Sequence, residues 1–295
     1  MRPSALALAL LLPLPAFGYK RTQNGGHVYL FWGPRGHSFQ IDSRGTPDVP
    51  GTSAFDAVRK SFTTWGVVTC SDLVFPEVLP LEQGDRRVGY FRGELNRNLV
   101  LWRTASCSTA VPPGDPCTTD RTCPNKYDCW DKGTGVIATT TTTSSPYTGQ
   151  IFDSDIELNG SPNPIDGSKL TFTTADSPPC DPALPPVNCV SIDVQNTVTH
   201  EAGHSIGLDH TTDQTATMAA FAPAGETSKR TLHPDDIQGI CAIYPRGAQT
   251  STSLGDPISI TLGGSGGCGC SSRTGSWEAL LAPLGLLALR RRRRI

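Results

Sequence analysis

The feature that most constrains this chain is the run His200-Glu201-Ala202-Gly203-His204-Ser205-Ile206-Gly207-Leu208-Asp209-His210. Positions four apart on a helix stand one turn above each other, so a helix here lets His200 and His204 offer imidazole nitrogens to one ion. Gly207 lets the chain leave that helix and turn sharply, bringing His210 round as a third ligand. Three histidines leave a fourth position for water, which marks a catalytic zinc site and not a closed structural one. Glu201 is one residue on from the first ligand, beside the metal rather than on it, as a general base requires. Zinc lowers the pKa of that water to roughly 7. Glu201 would take its proton as the water attacks a carbonyl, and later pass the proton to a leaving amine. A lone H-E-x-x-H arises by chance in many helices. Here five residue types are fixed at once, and half of the six histidines fall inside the run.

The flanking sequence fits one catalytic domain over residues 28 to 246. Asp193 is a good N-cap for the helix that carries His200 and His204. A final helix begins at Pro234, with Asp235 and Asp236 placed against its positive dipole end. Its residues Ile237, Ile240, Cys241 and Tyr244 keep helical spacing, and Pro245 stops it. Residues 53 to 65 predict an earlier amphipathic helix, with Phe55, Val58, Phe62 and Trp65 on one face and Ser53 with Asp56 resembling a capping box. Strands are expected at His37–Ile41, Leu73–Phe75, Asn98–Trp102, Gly135–Thr143 and Gln150–Leu158. The stretch from Tyr19 to about Gly36 reads as short and polar. Pro178 to Pro186 reads as a loop, and the segment from Arg103 to Gly133 as a disulfide-pinned surface insertion.

Export follows from both ends and from the cysteines. Arg2, an apolar run from Ala5 to Leu14 and the close Ala16-Phe17-Gly18 describe a signal peptide over residues 1 to 18. Eight of the ten cysteines lie between Cys70 and Cys241, at spacings that match no zinc finger. In an exported chain they are expected in disulfides. Eight allow roughly a hundred pairings, and only Cys180 with Cys189, close in sequence, is assigned. Without Arg2 and Arg290 to Arg294, 19 basic side chains face 27 acidic ones, a net −8. An acidic body without a basic stripe argues against nucleic acid as a partner.

The eleven residues from His200, followed by Met218, resemble the zinc motif and Met-turn of metzincins. Within that group the wording resembles matrixins, the matrix-metalloproteinase-like branch, and their bacterial relatives. Gly149 to Asp155 is similar to the matrixin strand before the active-site helix, Leu232 to Ile240 to the opening of the C-terminal helix, and Trp65 to Phe75 to the end of the first helix and the next strand. The resemblance covers most of residues 37 to 245. It implies an α+β domain with a twisted mixed sheet above the zinc helix, and an extended cleft that binds peptides alongside an edge strand. It makes Met218 a hydrophobic base beneath the metal and takes the wall of the specificity pocket from Ala219 to Leu232. Asp236 would brace the Met-turn or simply cap its helix.

Two departures limit the carry-over. The histidine that matrixins use for a second, structural zinc is Ile151 here, so no second zinc is expected. Asp153, Asp155 and Glu157 are oxygen donors suited to calcium, or an ordinary acidic strand edge. No segment between Gly18 and the catalytic domain offers a cysteine to cap the zinc. The resemblance thus predicts a monomeric metalloendopeptidase with one catalytic zinc, acting on protein or peptide substrates. The rivals are a surface binding or adhesion module on an inactive protease fold, which the intact Glu201 and three histidines oppose, and a disulfide-rich coat protein, which leaves residues 200 to 218 unexplained.

After a Ser-, Thr- and Gly-rich linker (247 to 267), residues 268 to 295 run Cys-Gly-Cys, a spacer, Trp277, an apolar stretch and five arginines. This order resembles the C-terminal sorting tails of myxobacterial exported proteins (the MYXO-CTERM type); a weak membrane anchor is the plainer reading. Either places the protein at the cell surface or outside the cell, touching membrane only through the tail.

Overall fold

The computed structural model describes residues 18–81 and 84–252. The signal read in the N-terminal apolar run, the sorting tail and most of the linker before it lie outside the described residues. Five strands form one sheet: β1 Phe39–Asp42, β2 Glu77–Leu81, β3 Leu99–Arg103, β4 Ala138–Ser144 and β5 Ile151–Asn159, in the spatial order β2-β1-β3-β5-β4. β1 is parallel to β2 and β3, β3 is parallel to β5, and β4 runs antiparallel to β5. Three helices longer than two turns accompany the sheet: α1 Ser53–Gly66, α2 Val194–Ser205 and α3 Pro234–Ile243.

Central strand β3, Leu-Val-Leu-Trp-Arg, is buried at every position because both of its faces are covered. Val100 and Trp102 join the main core beneath the helices, while Leu99 and Leu101 pack with Val88 on the other side. Helix α1 buries Val58, Phe62 and Trp65 on the face that its spacing predicts, with Phe55 half-buried at the margin. Each fully buried aromatic contributes roughly 1.5–3 kcal/mol. Trp65 Nε1 donates to Thr199 O at 2.8 Å and Ser61 Oγ to Gln195 O at 3.1 Å, which ties α1 to α2.

Two local expectations are corrected. No capping box forms at the start of α1: Thr52 is the N-cap and contributes no side-chain bond. Ser53 is already the first helical residue, one place too late to cap, and its Oγ meets Thr174 Oγ1 at 3.2 Å. Leu73–Phe75 is not a strand. Val74 makes one isolated bridge to Gly36, and the strand beside β1 begins only at Glu77, after Pro76, which has no N–H to give a ladder.

The stretch expected to be short and polar is half structural. Tyr19, Leu30, Phe31 and Trp32 are buried in the core, and Lys20–Arg21, ahead of the expected domain start at 28, pairs antiparallel with Leu208–Asp209. Trp32 Nε1 donates to Ser205 O and Tyr244 Oη to Ile206 O, both at 2.8 Å, which satisfies carbonyls that the end of α2 leaves open. The insertion between β3 and β4 is closed by Cys107–Cys129 and Cys117–Cys123. Cys180–Cys189 forms as expected, and Cys70–Cys241 joins the segment after α1 to α3. Among the described residues no helix is long and apolar enough to cross a membrane.

Candidate active site

Helix α2 starts where the sequence said it would: the Asp193 carboxylate accepts from Asn196 N at 2.7 Å, a cap that stabilises by about 1 kcal/mol. Arg230 holds the same carboxylate from outside, at 2.9 Å and 2.5 Å. One turn apart on the helix, His200 and His204 face the same point. Gly207 then takes φ +97°, and a side chain there would run into the carbonyl of Leu30, so only glycine turns the chain here. The turn delivers His210. Its Nε2 lies 3.2 Å from His200 Nε2 and 3.1 Å from His204 Nε2, and those two are 3.2 Å apart.

The chemistry of this donor set fits a metal. His200 Nδ1 lies 2.7 Å from Thr217 O and His204 Nδ1 lies 2.9 Å from Leu208 O. A carbonyl can only accept, so Nδ1 carries the proton in both rings and each Nε2 turns a lone pair toward the common point. Lone pairs so close repel unless a cation lies among them. The edge of a tetrahedron with ligands ~2.0–2.1 Å from its centre is about 3.3 Å, close to the observed spacing. Burial, with neighbouring positive charge, pushes the His200 pKa well below the ordinary histidine value; burial also lowers those of His204 and His210. The neutral form that binds metal is therefore favoured. Among the described residues this is the only group of three or more His, Cys, Asp or Glu side chains close enough to share an ion.

Glu201 is buried beside the triad. Burial pushes its pKa up to about 7, while a hydrogen bond from Thr140 and the His210 and Lys229 charges pull it down. Thr140 Oγ1 donates to Glu201 Oε2 at 2.6 Å. Thr140 belongs to β4, the edge of the sheet, so the strand that borders the cleft also touches the candidate base. The cleft has a volume of about 800 Å³ and runs along β4, past the three histidines and Glu201, to Ala220–Ala222.

Met218 is buried next to the triad, and a methyl added at Gly203 would collide with its sulfur and with Trp65. Both readings of Asp236 hold together. Its carboxylate accepts from Thr217 N at 2.8 Å and Met218 N at 3.0 Å, bracing the turn, and from His233 N at 2.9 Å, capping α3.

The three acidic residues of β5 do not gather into a cage. Glu157 accepts from Arg103 Nε at 2.6 Å, and Asp155 accepts from Gly89 N at 2.6 Å and Leu99 N at 2.8 Å. Asp153 is fully buried with no N–H or hydroxyl donor to either oxygen among the described residues, and its carboxyl neighbour is that of Asp155, with which it can share a hydrogen bond once one of the two is protonated. Burial pushes its pKa up to about 6 and that of Asp155 well above the carboxylate range.

A mixed sheet, a helix bearing two histidines, a third histidine after a glycine turn and a buried methionine behind them define a metzincin-type catalytic domain. Residues 31–245 match the family model for matrixins, and the chain belongs to that family. Zinc-dependent proteolysis is the chemistry of that family. Among curated relatives, the human and rat matrix metalloproteinase-16 are each 51% identical over 45 residues, and matrix metalloproteinase-27 of Tupaia belangeri is 49% identical over 45. Each match takes in 15% of this chain and only 7% to 9% of the relative's own length.

The polar residues of the cleft that the sequence did not single out include Thr140, Asn196 and Lys229. Asn196, four residues before His200, could have been found by projecting the helix. Thr140 carries no local signal, and Lys229 falls inside the Ala219–Leu232 segment expected to wall the specificity pocket without being singled out in it.

Proposed function

We propose that this chain is a zinc-dependent endopeptidase that cuts extracellular proteins, with His200, His204 and His210 as metal ligands and Glu201 as general base. The convergence of three Nε2 atoms beside a buried carboxylate, on a cleft bordered by an edge strand, carries the proposal. Bound zinc supplies Lewis acidity and lowers the pKa of a water to roughly 7. The protein's own groups do the rest. β4 aligns an extended peptide by adding it to the sheet edge. The Thr140 hydroxyl holds Glu201 Oε2, leaving Oε1 to take the proton of the attacking water and return it to the departing amine. The main-chain carbonyls of Thr217 and Leu208 fix the ring tautomers of His200 and His204.

Export belongs to the same proposal, supported by four disulfides in the described residues. So do placement in the bacterial branch and surface sorting by the arginine-ended tail, both supported by sequence resemblance alone. The test is cleavage of casein or a peptide library by secreted, zinc-loaded protein, with and without a zinc chelator and beside Glu201→Ala. The chelator should abolish cleavage, and the substitution should lower kcat by roughly 10²–10⁴-fold with zinc retained. Cleavage indifferent to both removes the mechanism. Folded, zinc-loaded protein that cuts nothing is a binding module.

A further inference from the structure

Beside the histidines the cleft is lined by Asn196, Thr197, Ala220, Phe221, Ala222 and Lys229. Lys229 is only 3% exposed. Its Nζ donates to Ala219 O at 2.5 Å and Phe221 O at 2.9 Å, the carbonyls of the loop that follows Met218. Carbonyl dipoles orient an ammonium but do not neutralise it. No carboxylate among the described residues lies within ion-pair distance of it. Asp236 spends its oxygens on three backbone N–H groups. Glu226 receives Ser228 Oγ at 2.5 Å on one oxygen while its other is buried without a hydrogen-bond partner among the described residues, making it the nearest thing to a counter-charge but no ion pair. Burial lowers the Lys229 pKa, while Glu226, Asp236 and Glu201 favour its charged form. A buried cation without a counter-ion is costly, and proteins keep one mainly where an anion arrives.

The neighbouring amide points the same way. Asn196 is 2% exposed, and its Oδ1 accepts from Lys229 N at 2.8 Å. An N–H needs an acceptor, so the carboxamide cannot be flipped, and Nδ2 is directed away from that bond. Nδ2 has no hydrogen-bond partner among the described residues, although the residue lines the cleft. An ammonium with a spare N–H and an unused amide donor on one wall make a carboxylate seat.

We propose that Asn196 and Lys229 form an anion-binding subsite of the cleft, which selects peptides with a Glu or Asp side chain beside the bond to be cut. The inference rests on the protease reading for the words "bond to be cut", but the subsite itself is tested by binding. Zinc-loaded full-length Glu201→Gln protein is incubated with a randomised peptide library at low salt, and the retained peptides are sequenced by mass spectrometry. Peptides with Glu or Asp at one fixed position should be enriched roughly tenfold over those with Gln or Leu there. The enrichment should fade in 0.5 M salt and vanish when Lys229→Met is added. In the wild-type protein, the same residue should flank the cut in the products.

Retention of apolar side chains at that position overturns the proposal, as does acidic enrichment that survives Lys229→Met in a folded, zinc-loaded protein. If Lys229→Met does not fold, the salt series in the Lys229 background decides alone: acidic enrichment that ignores salt, or none at all, is negative. A wild-type protein that cuts nothing sinks the protease reading and leaves the binding result standing.

Discussion

A single hydroxyl shows how much rests on one atom. Thr140 Oγ1 lies 3.0 Å from the Glu201 carbonyl oxygen and 2.6 Å from its Oε2, and its one hydrogen goes to the closer carboxylate oxygen of the candidate base. Replacing it by valine keeps the shape and removes the donor, leaving a buried carboxylate short of one partner. A hydrogen bond to a charged group is worth about 1.5–3 kcal/mol. Thr140→Val should therefore lower kcat roughly tenfold or more while zinc content and KM hold, and Thr140→Ser should restore most of the rate. Equal kcat for Val and wild type in steady-state assays would show that the hydroxyl only fills space.

Strand β5 carries its own test, in the pair Asp153 and Asp155. Their carboxyls are buried on one face, and burial raises both pKa values above those of the unfolded chain, Asp153 to about 6. A raised carboxyl pKa means the folded state holds its proton longer. For Asp153 that contribution is present at low pH and is lost as pH rises from about 4 through about 6. Asp153→Asn should raise Tm at pH 8 and leave it nearly unchanged at pH 4, as followed by thermal melts. If calcium occupies Asp153, millimolar calcium should raise the pH 8 Tm of the parent and not of the Asn variant. The sequence showed these carboxylates but not their partners. The Gly89 and Leu99 N–H groups that reach Asp155 arrive from elsewhere in the chain, and nothing local to Asp153-Ser154-Asp155 announces them. By contrast, α2 with its cap, histidine spacing and glycine exit was legible in full, because each of those is decided within one or two turns. Thr140 sits in a run of five threonines, Thr139 to Thr143, any of which reads alike. Only the register that sets Thr140 opposite Ile156 of β5 selects it to reach a carboxylate 61 positions away. The start of α1 failed for the opposite reason: Thr52 and Ser53 are both acceptable caps, and propensity cannot choose between neighbours.

At the scale of the molecule, Cys70–Cys241 closes a separation of 171 residues and holds α3, which carries Asp236, against the segment after α1. Restricting so long a loop in the unfolded chain is worth about 5 kcal/mol in the chain-entropy account. Cys70→Ser with Cys241→Ser should lower unfolding stability by up to that amount in a denaturant titration, and zinc should leave the variant at lower denaturant than the parent. An unchanged midpoint would show that α3 is held by packing alone. The position of β4 reaches outside the molecule. A ladder can be lengthened only by backbone that is already stretched out, so a helix or a closed hairpin offered to this rim has nothing to pair. Under the proposed activity, which proteins are cut would be settled first by how readily they let a stretch of chain come loose, and only afterwards by the side chains on it.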